Sequence, residues 1–325
     1  MNPGIGERAA VGLCAELSGA AADFGASLDL DGAKLLERAT PVPLAAPGIW
    51  SPNRHCRMVE AGDGWLAVNL ARDEDRRAVP AWLEGPLESD TWDTVIDGCR
   101  SRAVAEMLES AILLGLPVST VGERKEPGPT AHGMRVVRRD GGLRGVDLSA
   151  LWAGPLCGAL LARCGIAFDK VEAPGRPDPT AGDASLNGAK RRRTLELDSP
   201  ELLDLIAAAN ILITSSRPLA LARKGMDETA LRALNPGLLW IAITAHGWHG
   251  PEAWRVGFGD DCAAAGGLVS WNGAQPNFAG DALADPLTGI AAATAALGTL
   301  AGGYAGLLDI SLAGTAADAA ARFGG

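Results

Sequence analysis

No two of the six cysteines (positions 14, 56, 99, 157, 164 and 262) stand at C-x-x-C spacing, and none clusters with a histidine. That pattern argues against the usual zinc frameworks and fits free thiols in a reducing compartment, so no metal is expected. Basic excess is missing too. Against 39 Asp and Glu there are 29 Lys and Arg, a formal charge of −10, so no global cationic field draws the chain to nucleic acid. An export signal is not visible at the start, "MNPGIGERAAVGLCAELSG", where Glu7 and Arg8 stand in place of an apolar core. Long Leu/Ile runs are lacking as well. The longest weakly polar run, Pro286 to Leu308, is rich in Ala and Gly and reads as a buried helix rather than a membrane span. A cytoplasmic protein that contacts neither nucleic acid nor membrane is expected. Two fingerprints are also absent. The turn "LSALWAGPLCGALL" has Gly154 and Gly158 but not G-x-G-x-x-G, so NAD is not expected, and no G-x-S-x-G marks a serine hydrolase.

What is present is a globular α/β composition, 47% hydrophobic with 42 Gly and 20 Pro, long enough for two domains. The stretch "HCRMVEAGDGWLAVNLA" alternates around a Gly-Asp-Gly turn and predicts a β-hairpin, and "TWDTVIDGCRSRAVAEMLESAILLGLP" has helical spacing. Residues 1–121 therefore read as a small α+β unit. The polar stretch 122–142, "GERKEPGPTAHGMRVVRRDGG", reads as a linker. From 143 to 325 the texture changes. Strands at "LRGVDLSAL", "IAFDKVEAP", "RRRTLELD", "ILITSS" and "LLWIAITAHG", most of them apolar, alternate with helices, one of them opened by Ser199 as N-cap and Pro200 at its first position. The fold class is thus α/β, a Rossmann-like doubly wound parallel sheet with a smaller α+β domain at the N-terminus. Ligands of such sheets lie beyond the carboxyl ends of the strands, at "VEAP", "SSRP" and "TAHG".

Several residues there invite chemistry. Lys190 to Arg193 form a basic run, which is either a solvated strand entrance or a grip for phosphates. Arg217 stands at a strand's carboxyl end. His246 and His249 flank Gly247 in a glycine-rich turn, where a histidine is either merely polar or in contact with a ligand carbonyl. Asp260, Asp261, Asp281 and Asp285 precede small-residue helices, and each has capping as its plain explanation. Asp285 followed by Pro286 reads as N-cap plus N1 proline. The same helix-end field would keep the carboxylate ionised for nucleophilic attack on an acyl group, with small neighbours leaving room for a substrate. The residues alone leave both readings of Asp285 open.

Residues from about 143 to 312 resemble the N-terminal half of the class III CoA-transferase family, which includes formyl-CoA transferase, carnitine CoA-transferase and α-methylacyl-CoA racemase. The resemblance rests on "VDLSALWAGPLCGALLARCGIAFDKVEAP", "NGAKRRRTLELDSPE", "SSRPLALARKGMD", "LRALNPGLLWIAITAHGWHGP", "AAAGGLVSWNG" and "ALADPLTGIAAATAALGTL", in the family's order. It implies coenzyme A as the acyl carrier, acyl-CoA and a carboxylic acid as substrates, a homodimer, and Asp285 as a nucleophile that forms an anhydride and then an aspartyl-CoA thioester. It places Val171, Glu172, Ala173 and Arg217 along the CoA nucleotide, Lys190 and Arg191 near its phosphates, and Trp152 and Ala153 at the thioester end. His246 and Gly247 complete the implied CoA-binding set. Two departures stand out. The racemase branch's His–Asp pair is replaced by "RVGFGDDC", and the small-domain-like segment comes first. The layout therefore resembles a permuted or split form, with a racemase-like isomerase or a non-catalytic CoA-binding subunit as alternatives.

Overall fold

The computed structural model describes residues 4–38, 43–86, 90–125, 128–139 and 141–324. The first part runs α1 (Ile5–Asp23), α2 (Gly32–Leu35), β1 (Cys56–Ala61), β2 (Gly64–Asn69), α3 (Asp73–Leu83), α4 (Thr91–Cys99), α5 (Val104–Leu113), β3 (Val118–Thr120) and β4 (Thr130–Val136). There follow β5 (Arg144–Asp147), α6 (Ala153–Arg163), β6 (Ala167–Glu172), α7 (Ala184–Asn187), β7 (Arg191–Thr194), α8 (Pro200–Ala207) and β8 (Ile211–Thr214). The chain continues with α9 (Pro218–Ala222), α10 (Glu228–Leu234), β9 (Leu239–Thr244), α11 (Gly259–Ala265), β10 (Val269–Asn272) and β11 (Gln275–Phe278). It closes with α12 (Ala284–Ala301), β12 (Tyr304–Ser311) and α13 (Leu312–Phe323). Among the described residues no helix is long and apolar enough to cross a membrane.

Seven strands form the main sheet in the order β4-β12-β9-β8-β5-β6-β7, parallel throughout except for β4 at one edge. Counted along the chain, the six parallel strands lie 3-2-1-4-5-6, the Rossmann order, with its switch point between β5 and β8. Both faces are covered, as the unbroken apolar strands predict. On one face Ile211, Ile213, Ile241 and Ile310 pack with α1, α6, α12 and α13. On the other, Leu212, Trp240 and Ala242 pack with Leu202 and Ile206 of α8 and Leu231 of α10. Ser199 caps α8 through a bond to the Leu202 N–H, with Pro200 at N1, as the sequence predicts. The hairpin β1–β2 pairs antiparallel, adds β3, and packs with α3, α4 and α5 around Trp82, Val79 and Leu66.

Two elements lie elsewhere than chain order suggests. Helix α1 packs on α12 through Ala10, Leu13 and Leu17 and so joins the core of the large sheet. Each buried Leu there contributes about 1.5–3 kcal/mol. The predicted linker contains β4, which pairs antiparallel with β12. Glu126, Pro127 and Asp140 of that stretch lie outside the described residues.

The small residues of α12 are explained by packing. A Cβ at Gly289 would stand 2.8 Å from the Ala153 carbonyl and 3.0 Å from Leu156 Cβ, and Ala292, Ala293 and Ala296 are fully buried. Their smallness admits α6 and α1 at close range; it does not open a path for a substrate backbone.

Candidate functional site

The loops after β5 and β8, together with the loop after β6, enclose a cavity of about 490 Å³ at the switch point. Its lining includes Ala153, Val171, Glu172, Ala173 and Arg217 from the predicted set, and Asp285. Four arginines among the described residues line it: Arg72 and Arg255 are paired with Asp75 and Glu123, while Arg176 and Arg217 stand exposed on its wall. A second cavity, of about 340 Å³, is mostly apolar. Trp152, Leu35, Leu156 and Phe258 line it, together with Arg38, and Asp285 belongs to its lining as well. The two spaces therefore share Asp285.

Asp285 is the second residue of α12, whose N-cap position is Leu283, and its side chain makes no capping bond. The N-cap expected at this position, with proline at N1, is corrected: Leu283 and Ala282 turn the chain, Ala282 in the left-handed region at φ 44, and Pro286 sits one residue further in. The expectation that a helix-end field keeps the acid ionised is corrected too. Burial pushes the Asp285 carboxyl up to about 7, with Arg38 opposing and the charges of Asp260 and Asp281 adding to the rise. The N-terminal dipole is worth about 0.3–1 kcal/mol, at most about 2 in a partly buried site, too little to offset desolvation beside two other carboxylates.

Those two neighbours are held differently. Asp281 ion-pairs with Arg38 and accepts a bond from Asn53 Nδ2 at 2.7 Å. Asp260 accepts from the same Asn53 Nδ2 at 2.7 Å and from the Ala282 N–H at 2.7 Å, and burial pushes its carboxyl up to about 6. Asp261 fills the plainer role. It accepts the Phe258 N–H at 3.0 Å at the start of α11 and a bond from Asn69 Nδ2 at 3.0 Å. The Asp285 carboxylate accepts no hydrogen bond among the described residues and is only half-buried, lining both cavities. Gly259 makes the room, since a Cβ there would fall 2.4 Å from Asp285 Oδ2. Arg38 lies 5.0 Å from the centroid of the Trp152 ring, where the π-face holds it beside the acids.

Four predicted residues are not brought to either cavity. Lys190 is buried and spends its three donors on Asp147 (2.7 Å), the Pro155 carbonyl (2.7 Å) and Asn187 (3.2 Å). Arg191 is exposed on the edge strand β7, 3.8 Å from Asp169. The rest of the basic run pairs with Glu172, Asp169 and Glu201. A charged edge strand blocks further strand pairing, which accounts for the run without a phosphate. His246 is buried with neither ring nitrogen bonded among the described residues, and burial near Arg255 and Arg124 pushes it down to about 3, so it stays neutral. Gly247 turns beside it at φ 114.

Sequence reasoning missed Arg38, Asn53 and Arg176. The first two reach the acids across more than 200 residues, which no local pattern signals. Arg176 was within reach, because it follows the carboxyl end of β6, where ligands of this architecture lie.

Residues 141–322, more than half of the chain, match the model of CoA-transferase family III. Among curated proteins, the chain is 34% identical over 177 residues to a succinyl-CoA–D-citramalate CoA-transferase of Chloroflexus aurantiacus, covering 49% of this chain and 43% of that one. It is 32% identical over 174 residues to a succinate–glutarate CoA-transferase of Agrobacterium fabrum, covering 46% and 44%. The chain spans less than half the length of these relatives. Among solved structures it is similar to Rv3272 from Mycobacterium tuberculosis, with TM-score 0.51 and 26% identity over 58% of this chain and 57% of that one. A CAIB/BAIF family protein from Brucella suis aligns at TM-score 0.50 and 27% identity, over 58% and 56%. Arg38, Asn53 and β1–β4 lie outside the matched segment, but the match takes in every parallel strand and the helix that carries Asp285. On that extent the chain belongs to CoA-transferase family III.

Proposed function

We propose that this chain moves coenzyme A between an acyl-CoA and a carboxylate by covalent catalysis at Asp285. The ionised carboxylate attacks the thioester carbonyl, the C–S bond breaks, and an aspartyl–acyl anhydride forms with release of the CoA thiolate. The thiolate then attacks the Asp285 carbonyl, expelling the donor acid and leaving an aspartyl-CoA thioester. The acceptor carboxylate reverses these steps with its own acyl group and regains CoA. Splitting one difficult exchange into two displacements is the general gain of a covalent nucleophile.

The observation that carries this reading is the state of Asp285. Of three neighbouring carboxyls its side chain alone has no hydrogen-bond partner among the described residues, and it lines both cavities. In this reading the cavity with Arg176 and Arg217 takes the CoA phosphates and pantetheine arm, since guanidinium groups pair with phosphate oxygens. The apolar cavity beside Trp152 takes the acyl group. Residues of the N-terminal part, Arg38 and Asn53 above all, hold Asp281 and Asp260 in place and confine the acyl cavity. A raised Asp285 carboxyl keeps a substantial neutral fraction near pH 7, which lowers the cost of three acids in one place until a substrate arrives.

The test is trapping. Incubation with acyl-CoA followed by hydroxylamine and mass spectrometry is expected to mark Asp285 as the hydroxamate, and Asp285→Ala to abolish both mark and turnover. A wild-type chain that turns over without an adduct, or an Asp285→Ala variant with unchanged turnover, refutes the mechanism. Saturable CoA binding with no adduct and no turnover would instead support the CoA-binding subunit.

A further inference from the structure

Away from both cavities, at the outer edge of the large sheet, three side chains from separate elements point their donor atoms at one another. His132 comes from β4, Asp309 from β12 and His249 from the loop after β9, and their ligand atoms all lie within 4.8 Å of one another. His132 Nε2 is 4.0 Å from Asp309 Oδ2, and His249 Nδ1 is 3.7 Å from the same oxygen. We propose that His132, His249 and Asp309 bind a first-row divalent cation of the zinc class.

The hydrogen bonds around the cluster carry the argument. Glu228 Oε1 lies 2.6 Å from His249 Nε2 and also accepts from Trp248 Nε1 at 2.9 Å. A carboxylate accepts, so Nε2 donates to Glu228, and Nδ1 is the ring nitrogen turned toward the cluster. It faces Asp309 Oδ2 at 3.7 Å. The carboxylate is turned into place by the Trp248 N–H at 2.8 Å on Oδ1 and the His249 N–H at 3.4 Å on Oδ2. His132 Nε2 approaches the same oxygen, with the Thr130 hydroxyl 3.1 Å from the nitrogen as its other partner. Two imidazole nitrogens and a carboxylate oxygen thus converge on one point, as the ligands of a cation do. The imidazoles lie edge to face with centroids 4.5 Å apart. One doubly charged ion neutralises Asp309 and is bound by both rings.

The chemistry fits that class of metal. Two imidazole nitrogens and one carboxylate oxygen are the ligands zinc, cobalt and nickel favour, and a His whose far nitrogen is held by a carboxylate is the usual supporting arrangement. Tetrahedral bonds of about 2.0–2.1 Å put donors roughly 3.4 Å apart, so the Asp309 pairs need to close by only about 0.5 Å. The two rings are partly exposed, at 41% and 44%, which leaves them free to rotate and leaves a position open to water. Bound there, the ion ties the antiparallel edge strand β4 to β12 and to the loop after β9.

The test uses the untagged full chain, stripped with chelator and titrated with ZnCl₂ by calorimetry and with Co²⁺ by visible absorption. One site per chain is expected, with a dissociation constant in the micromolar range or tighter and cobalt bands of a nitrogen–oxygen site. His132→Gln and His249→Gln should each weaken binding at least about 100-fold, and Glu228→Gln about tenfold. His55→Gln, distant from the cluster, should leave it unchanged. Zinc should raise the Tm of the wild type and not of the two ligand variants, whose metal-free Tm should match the wild type. No saturable binding up to millimolar zinc, or binding that survives both ligand variants, overturns the proposal.

Discussion

Asp285→Asn replaces a charge with an amide of nearly the same shape, so it isolates what ionising that site costs the fold. In the folded chain the carboxyl is raised from 3.8 to about 7. A group whose folded pKa lies above its unfolded value holds its proton in the native state after the unfolded chain has released it. Between about pH 4 and pH 7, therefore, each step upward costs the folded state, and above 7 the cost is complete. A gap of that size corresponds to about 4 kcal/mol at 1.36 kcal/mol per pH unit. Solvent in the two cavities screens part of this, and about 2 kcal/mol is the expected value. The Asn variant lacks the penalty at every pH. It should come close to the wild type at pH 4.5 and exceed it at pH 8 by about 2 kcal/mol, a rise of roughly 3 °C in Tm at about 2.1 cal/mol/K per residue. Thermal unfolding at the two pH values and fixed ionic strength reads the difference directly. A pH-independent difference, or a variant less stable at pH 8, refutes the account of three crowded acids. An inactive yet more stable variant would also mark Asp285 as a place where function is kept at the expense of the fold.

The same raised carboxyl sets the rate profile: kcat/KM should rise with pH through about 7 with unit slope, because only the ionised form attacks, and a flat profile from pH 5 to 9 would contradict this. Gly259→Ala puts a methyl 2.4 Å from Asp285 Oδ2 and 2.6 Å from the Ala282 carbonyl; the turn before α12 must shift, and turnover should fall about 100-fold while the circular dichroism spectrum stays that of the wild type. Arg176→Gln and Arg217→Gln should each raise the KM for acyl-CoA about tenfold with kcat little changed, each arginine contributing about 1.5 kcal/mol as a charge-assisted bond, and the effect should shrink as salt is added. Lys190→Met leaves Asp147 buried without its 2.7 Å partner and should cost about 3–5 kcal/mol in urea unfolding, with CoA affinity of the folded protein unchanged. A stable variant with weakened CoA binding would return Lys190 to the phosphates.

What could be read without the structure was what neighbours in sequence decide. Alternating apolar strands and helices, the Ser199–Pro200 cap and the hairpin at Gly64 arise within a few residues, so the parallel sheet was legible. Strand β4 has the look of a linker in sequence, because its charges and Gly133 suit a loop until β12 is beside it. The motif around Asp285 singled out that acid, but the surroundings suggested a cap and an ionised group. The cap is lost because the turn at Ala282 and Leu283 starts the helix one residue before Asp285, and the ionised state is lost to the surroundings. A carboxyl's protonation is a sum over everything packed around it, and here Arg38, Asn53 and Asp260 arrive from distant parts of the chain. The basic run shows the same division. Sequence gave it charge, but burial turned Lys190 inward to Asp147 while the sheet edge turned Arg191 outward. Local periodicity and capping are encoded within a turn or a strand, whereas desolvation and charge pairing exist only once remote segments meet.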